Sequence, residues 1–402
     1  MTTPVLKRDQ FRQLGVLIAV NFVDMLGFAM VLPLLPFYAL KLDATPEIIG
    51  WMIASFSITQ LVAAPLWGRV SDRYGRRPAL MIGLLASAIA FLVFGFADAL
   101  WLLFLSRIVQ GAGGGTTGVA QAYVSDTVAP SDRARALGWL SAATSAGVMV
   151  GPAIGSVAAH LGREAPGYVA AGLCFLNVLA AYRWLPESRP PEKMGLLTQR
   201  KPVWHGAWEV LRNPAGKVER LIWVYGMGML AFSLLTSILA LWLGKRFGVN
   251  ETTIGYFFVY NGLLALLLRS LVLGPVVDRI GEVWAMRAGA LTLGFGLLLY
   301  TQAPSIFSLI FIIPFVPIGT ALLFPASTSL LSRASDPNEL GTTMGVAQTF
   351  AGIARVIAPI VGTIAFQRLG SEAPFVLGGL TMLVVAGVAF RFVRPPEPVV
   401  AT

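Results

Sequence analysis

Charge is scarce in this sequence. Of its 402 residues only 12% are Asp, Glu, Lys or Arg, about half the 25% that a soluble domain carries. A surface so poor in charge faces something other than water. Cysteine is nearly absent: Cys174 stands alone, which excludes an internal disulfide and any cysteine-based zinc site. His160 and His205 are the only histidines, too few for a metal centre. Neither a metal nor an organic cofactor is expected. The glycine-rich run Gly111–Gly115 lacks the Lys-Ser/Thr ending of a phosphate-binding loop, and no catalytic triad is visible. ATP-driven pumping and membrane enzymology fit poorly, so the chain is not expected to be an enzyme.

Apolar residues make up 56% of the chain, and its mean hydropathy is +0.73. They fall into runs that predict membrane helices at 13–41, 47–67, 78–97, 99–126, 134–160, 166–184, 217–246, 252–273, 283–302, 305–332, 341–367 and 373–392. The runs are continuous, without the alternation of a membrane barrel. The first run, from Leu14 to Leu40, is too long for a signal-peptide core and reads as the first span. The stretch after Pro186 differs. Pro190, Pro191, Glu192, Lys193, Arg200, Lys201 and Pro202 make it a polar linker. The expected organisation is a bundle over 1–185, a cytoplasmic linker over 186–216 and a second bundle over 217–402.

The net charge of +10 would suit nucleic acid, but the cations sit in the gaps between apolar runs. That placement is the mark of membrane topology. With the N-terminus inside, 22 of the 30 Lys and Arg fall on the inner side. Five fall outside (Lys41, Arg163, Lys245, Arg246, Arg368), and Arg107, Arg269 and Arg355 remain within spans. Both termini are therefore expected in the cytoplasm. The alanine- and arginine-rich composition suggests a bacterial inner membrane. A monomer in the lipid bilayer, with no nucleic-acid partner, is expected.

The halves repeat. Gly68, Asp72, Arg73 and Gly75 recur 206 positions later as Gly274, Asp278, Arg279 and Gly281, and Gly138, Pro152 and Gly155 recur 207 positions later as Gly345, Pro359 and Gly362. Parallel repeats of this kind place a substrate path at their interface near the bilayer middle.

Three motifs stand out. After the second run comes Gly68-Arg-Val-Ser-Asp72-Arg73-Tyr-Gly75-Arg76-Arg77-Pro78. The fourth holds Arg107-Ile-Val-Gln110-Gly111-Ala-Gly113, and the fifth Gly147-Val-Met-Val-Gly151-Pro152-Ala-Ile-Gly155. They resemble the three signature motifs of the major facilitator superfamily, the last being similar to that of its antiporters. The first run adds Asp24-Met-Leu-Gly-Phe-Ala-Met-Val-Leu-Pro33-Leu-Leu-Pro36, which is similar to the 12-helix drug:proton antiporters, above all the tetracycline-efflux branch. The resemblance covers nearly the whole chain. It implies an all-α membrane fold of twelve helices in two pseudo-symmetric six-helix bundles. It further implies that Asp72 meets the N-terminus of the eleventh span, that Asp126 pairs with a loop arginine, and that Arg107 tunes proton transfer.

The motifs also make physical sense by themselves. In the short loop after span 2, Asp72 can accept bonds from Arg73 or Arg76, or sit at a helix N-terminus where the dipole favours an anion. Together with Arg77, and with the Asp126 that the resemblance adds, this group would latch the inner gate. Alternatively, its arginines only enforce topology. Gly147, Gly151 and Gly155 are spaced by four and line one helix face, allowing close approach of another helix, while Pro152 removes a backbone donor. The stripe reads as a seam between the halves that prevents leak and favours antiport, or as ordinary small-residue packing.

Asp24 is the one acid placed deep in a span. A carboxylate in such a place costs several kcal/mol and, unless permanently paired with an arginine, can exchange protons. Asp24 with Arg107 is a candidate proton-coupling pair. Asn21, Tyr38, Gln110, Gln121, Phe232, Tyr260, Asn261, Gln348 and Arg355 are candidate cavity residues. Three intramembrane arginines against one acid leave room for an anionic or zwitterionic substrate. No acid lies well inside span 9, where the tetracycline exporters carry one, which argues against tetracycline itself. The leading reading is an antiporter that exports small amphipathic, drug-like compounds by alternating access, driven by the proton gradient. Its rivals are an exporter of an anionic metabolite, a lipid flippase and a non-transporting receptor.

Overall fold

The computed structural model describes residues 8–188, 203–336 and 339–392. Lys7, the linker residues Pro190 to Pro202 and Arg394 lie outside the described residues. Among the described residues every regular element is helical, with no strand.

In chain order the helices are α1 (Arg8–Val31), α2 (Leu35–Leu40), α3 (Pro46–Tyr74), α4 (Arg76–Gly95), α5 (Leu100–Gly113), α6 (Thr116–Thr127), α7 (Arg133–Ala159) and α8 (Ala165–Trp184). After them come α9 (Val203–Arg212), α10 (Lys217–Phe247), α11 (Ile254–Leu267), α12 (Leu273–Ile280), α13 (Glu282–Thr301), α14 (Ile306–Ile312), α15 (Phe315–Ala334), α16 (Leu340–Arg368) and α17 (Ala373–Phe392). Eleven helical stretches are long and apolar enough to cross a membrane. Large apolar side chains such as Val157, Leu176, Phe311 and Val384 stay exposed on them. Apolar surface on this scale requires lipid, and the chain is a multi-pass membrane protein.

Several expected spans are interrupted. The first breaks at Leu32–Leu34, beside Pro33 and Pro36, whose rings remove backbone donors. The fourth, expected as one helix over 99–126, breaks at Gly114 and Gly115 into α5 and α6. The eighth passes through a π-turn, Leu268–Val272, that holds the exposed Arg269. The tenth breaks before Phe315. The linker, expected as a polar connection, contains the helix α9. The motif segment Gly68–Tyr74, expected as a loop, is the last two turns of α3. Only Gly75 separates it from α4, at φ +103°, and Gly281 separates α12 from α13 in the same way at φ +77°. Glycine takes such angles at little steric cost.

Backbone contacts group the chain into two compact units. Unit 1 comprises 1–45, 55–198 and 249–259, and unit 2 comprises 46–54, 199–248 and 260–402. In unit 1, α1 packs along α7 and α8, and α4 along α5, α6 and α8. Leu17, Leu84, Tyr123, Val124 and Leu140 fill part of that core. In unit 2, α13 lies along α15 and α17, and α10 along α16 and α17. There Tyr300 stacks on Phe375 at 5.3 Å and Trp242 meets both rings edge-on.

Candidate functional site

Asp24, in α1, is 5% exposed and is the only acid in the buried set of the described residues. It accepts a hydrogen bond from Thr116 Oγ1 at 3.0 Å, and the Ser87 hydroxyl of α4 is a second donor. The sequence delivers Thr116 there by breaking the fourth span. The break frees backbone carbonyls, and α3 takes them: Gln60 donates to Gly114 O at 3.2 Å and Trp67 Nε1 to Ala112 O at 2.5 Å. The Trp67 ring lies where a side chain on Gly115 would go, so only glycine fits. Thr116 then opens α6 facing α1.

Arg107 does not pair with Asp24. It sits on α5, before the break, and is 1% exposed. Its Nε donates to Ser106 Oγ at 3.3 Å and its guanidinium lies 5.7 Å from the Phe94 ring centre. Both its terminal nitrogens lack a partner among the described residues, as do Tyr38 Oη and Gln110 Oε1. Tyr38 stacks on Phe94 at 5.1 Å.

At the junction of α3 and α4 a single guanidinium joins three helix ends. Arg76 is 7% exposed. Its Nη1 lies 2.7 Å from Asp72 Oδ1 on α3, and its Nε lies 2.9 Å from Asp126 Oδ2 on α6. Ser71 Oγ accepts a further bond at 2.7 Å. Glu187, which sequence reasoning missed, accepts the backbone N–H groups of Arg76 at 2.8 Å and Arg77 at 3.0 Å. A carboxylate there satisfies donors left open at the start of α4 and meets the positive helix end. The available signal was an acid directly after Pro186, past the end of the sixth span, which reads as linker charge. Arg73 lies over the Tyr74 ring and Arg77 over that of Tyr182. Gly68 has open space around it, while a Cβ on Gly75 would meet Glu187.

Unit 2 repeats this junction with the charges exchanged. Glu282 stands 206 positions after Arg76, and Arg333 stands 207 after Asp126. Arg333 Nη2 lies 3.0 Å from Glu282 Oε1, and Ser329 Oγ donates to the same oxygen at 2.7 Å. Asp278, the counterpart of Asp72, is exposed.

The glycine stripe corrects the expected seam between halves. A methyl group on Gly147 would lie 2.6 Å from Phe22 O, and one on Gly151 would lie 2.6 Å from Leu26 O. On Gly155 it would meet Met30 O. All three partners are backbone of α1, so the seam is α7 on α1 inside unit 1. One residue on, Ser156 Oγ accepts the Gly255 N–H at 2.8 Å. Pro152 is buried in the same helix.

The cavity candidates divide. Asn21 is spent on the same α1–α7 seam, donating to Thr144 Oγ1 at 2.7 Å and to Leu140 O at 3.3 Å. Tyr38 and Gln110 are buried rather than open to a cavity, because the α1–α2 and α5 turns that carry them pack inward. Gln121 is exposed, and Phe232 is half-buried, edge-on to Phe324. Tyr260 donates to Ile310 O at 2.7 Å and Asn261 is partly exposed. Gln348 donates to Tyr225 Oη at 3.2 Å. Arg355, seven residues on and so on the same face of α16, is exposed midway along a span. A guanidinium there is costly against lipid and belongs in water or beside a polar partner.

The family model described as Major Facilitator Superfamily matches residues 17–268 and 221–402. The class C tetracycline resistance protein of Escherichia coli is 30% identical over 356 residues, 87% of this chain and 88% of the relative. Multidrug resistance protein 2 of Bacillus subtilis (strain 168) is 26% identical over 377 residues, 93% of each. Among solved structures, the human organic anion transporter MFSD10 superposes with a TM-score of 0.70 at 23% identity, covering 96% of this chain and all of that one.

Proposed function

Because this chain belongs to the major facilitator superfamily and is a membrane transporter rather than an enzyme, we propose that it is a proton-coupled antiporter exporting small amphipathic, drug-like compounds. The observation that carries the reading is the setting of Asp24. It is a buried intramembrane carboxylate held by the hydroxyl of Thr116 rather than by an arginine. A carboxylate locked to a cation stays charged through a cycle; one held by hydroxyls is free to gain and lose a proton. The relatives that carry drug-resistance names support the substrate class.

In this reading twelve spans form two six-helix halves, 1–185 and 217–402, joined by 186–216, which rock about a central cavity. The energy source is the proton gradient, and no cofactor takes part. Asp24 takes up a proton from outside and releases it inside, in exchange for substrate. Arg107 sets how readily the proton leaves. The group around Arg76, with Asp72 and Asp126, latches the inner face. The protein works as a monomer in a bacterial inner membrane, with both termini in the cytoplasm.

A second reading is favoured by two observations. Arg107 has two buried nitrogens without partners among the described residues, and Arg355 stands exposed in mid-span. Two such cations suit an exporter of an anionic metabolite or a flippase of charged lipid.

Proton release from detergent-purified protein separates the readings. Cationic, neutral and anionic compounds are added to wild type and to Asp24→Asn. Release by an amphipathic cation or neutral drug, lost in the variant, is the expected result. Release by anions alone favours the second reading. Binding of every class without release from the wild type ends the antiport reading.

A further inference from the structure

Unit 2 holds a cavity of about 710 Å³ where four membrane spans end. The spans beginning at Lys217 and Glu282 start there, and those ending at Ala334 and Phe392 finish there. The cavity therefore lies at the boundary between hydrocarbon and water. The counterparts of Asp72, Arg76 and Asp126 line it: Asp278, Glu282 and Arg333. In unit 1 the long Arg76 side chain fills the space between Asp72 and Asp126. In unit 2 Glu282 pairs with Arg333 instead, and both line the cavity.

The walls carry an uneven charge. Arg333 and Glu282 neutralise each other at 3.0 Å. Lys217 and Arg220 remain, with no carboxylate partner among the described residues, against the single carboxylate of Asp278. Arg220 is held over the Phe392 ring at 4.8 Å, which fixes its position without neutralising it. The net lining charge is thus one positive unit. Trp284, half exposed at the rim, is the residue type that settles at the headgroup level.

We propose that this cavity binds the headgroup of an anionic phospholipid. Its phosphodiester would face Lys217 and Arg220, and its acyl chains would follow the apolar helix faces into the bilayer. One phosphodiester charge matches the surplus of the lining. Guanidinium and ammonium groups both recognise phosphate oxygens through charge-assisted hydrogen bonds, and basic pockets between spans are natural sites for such headgroups. The proposal does not rest on the antiport reading, so its failure would leave that reading intact.

Native mass spectrometry of the full chain in detergent tests this, with added phosphatidylglycerol, phosphatidylethanolamine or inorganic phosphate. Phosphatidylglycerol should be retained best and should raise the melting temperature by about 2 °C or more. Lys217→Gln and Arg220→Gln should each weaken retention about fivefold. Asp278→Asn should strengthen it, and Lys245→Gln, at the opposite end of α10, should leave it unchanged. Lys217 is exposed at a helix start, so its variant folds even if that of Arg220 does not. Equal retention of the two lipids, or loss that does not follow Lys217, would overturn the proposal. Inorganic phosphate displacing the lipid and giving the same thermal shift would overturn the lipid source in favour of a soluble anion.

Discussion

Lys41 and Glu251 form an ion pair within unit 1, at the end of α2 and just ahead of α11. Burial alone would push the Glu251 carboxyl up. The hydrogen bond from Lys41, a backbone hydrogen bond and the charge of the lysine outweigh it and hold the group below its ordinary value of 4.5. A depressed carboxyl contributes stability that is complete above the unfolded value and lost as pH falls through the folded one. Lys41→Gln should therefore lower the melting temperature at pH 7, and the gap to wild type should narrow as pH falls below the ordinary carboxyl range. Because Lys41 is half exposed, the gap should also shrink in high salt. A gap that does not narrow with falling pH would mean that Lys41 acts by packing. Other residues show how far sequence reaches at this scale. Asp24 stood out as an acid in an apolar run, and the structure places it among the buried residues. Its partner Thr116 did not, because a threonine in an apolar run is ordinary until the break at Gly114–Gly115 turns it toward α1. Glu187 was hidden for a similar reason: an acid beside a linker reads as solvated charge until the fold brings it to the start of α4.

Glycines that look alike in sequence differ once helices pack. Gly151 has α1 against it: a methyl group added there would sit 2.6 Å from Leu26 O and 2.7 Å from Ala29 Cβ, whereas one on Gly138 in the same helix would have nothing within 4 Å. Gly151→Ala forces α7 away from α1 and should destabilise by about 1–3 kcal/mol. Gly138→Ala adds helix propensity in open space and should be neutral or stabilise by up to about 1 kcal/mol. Thermal unfolding of the two variants in one detergent reads the contrast, and equal effects would refute the seam. The spacing made the stripe legible; which helix it meets was not, because periodicity identifies a face and never its partner. The exchanged junction supplies a second test. Arg333→Glu alone sets like charges against each other and should reduce folded yield and transport. Adding Glu282→Arg restores an opposite pair in the polarity of unit 1 and should recover most of both. Failure to recover would show that the orientation of the pair, beyond its attraction, is needed.

For the whole molecule the open quantity is the number of crossings. Eleven stretches qualify as spans on length and hydropathy. The segment that does not is α5 with α6, of 14 and 12 residues, because the Gly114–Gly115 break leaves neither half long enough alone. Together they supply about 39 Å of helix, more than the roughly 30 Å of a hydrocarbon core. The carbonyls released at the break are taken by Gln60 and Trp67, so it carries little of the penalty that open backbone incurs in lipid. The pair should therefore cross as one span and bring the total to twelve. An even count returns the chain to the side on which it began, in keeping with the 22-to-5 bias of Lys and Arg toward the inner face. Reporter fusions decide it. Alkaline phosphatase fused after Asp98 should be active and after Pro130 inactive, while green fluorescent protein should be dark at the first site and bright at the second. The same reporter result at both sites would make α5–α6 a re-entrant hairpin, and the count would fall to eleven. Asp126 would then stand on the opposite side from Arg76, against the 2.9 Å ion pair that joins them.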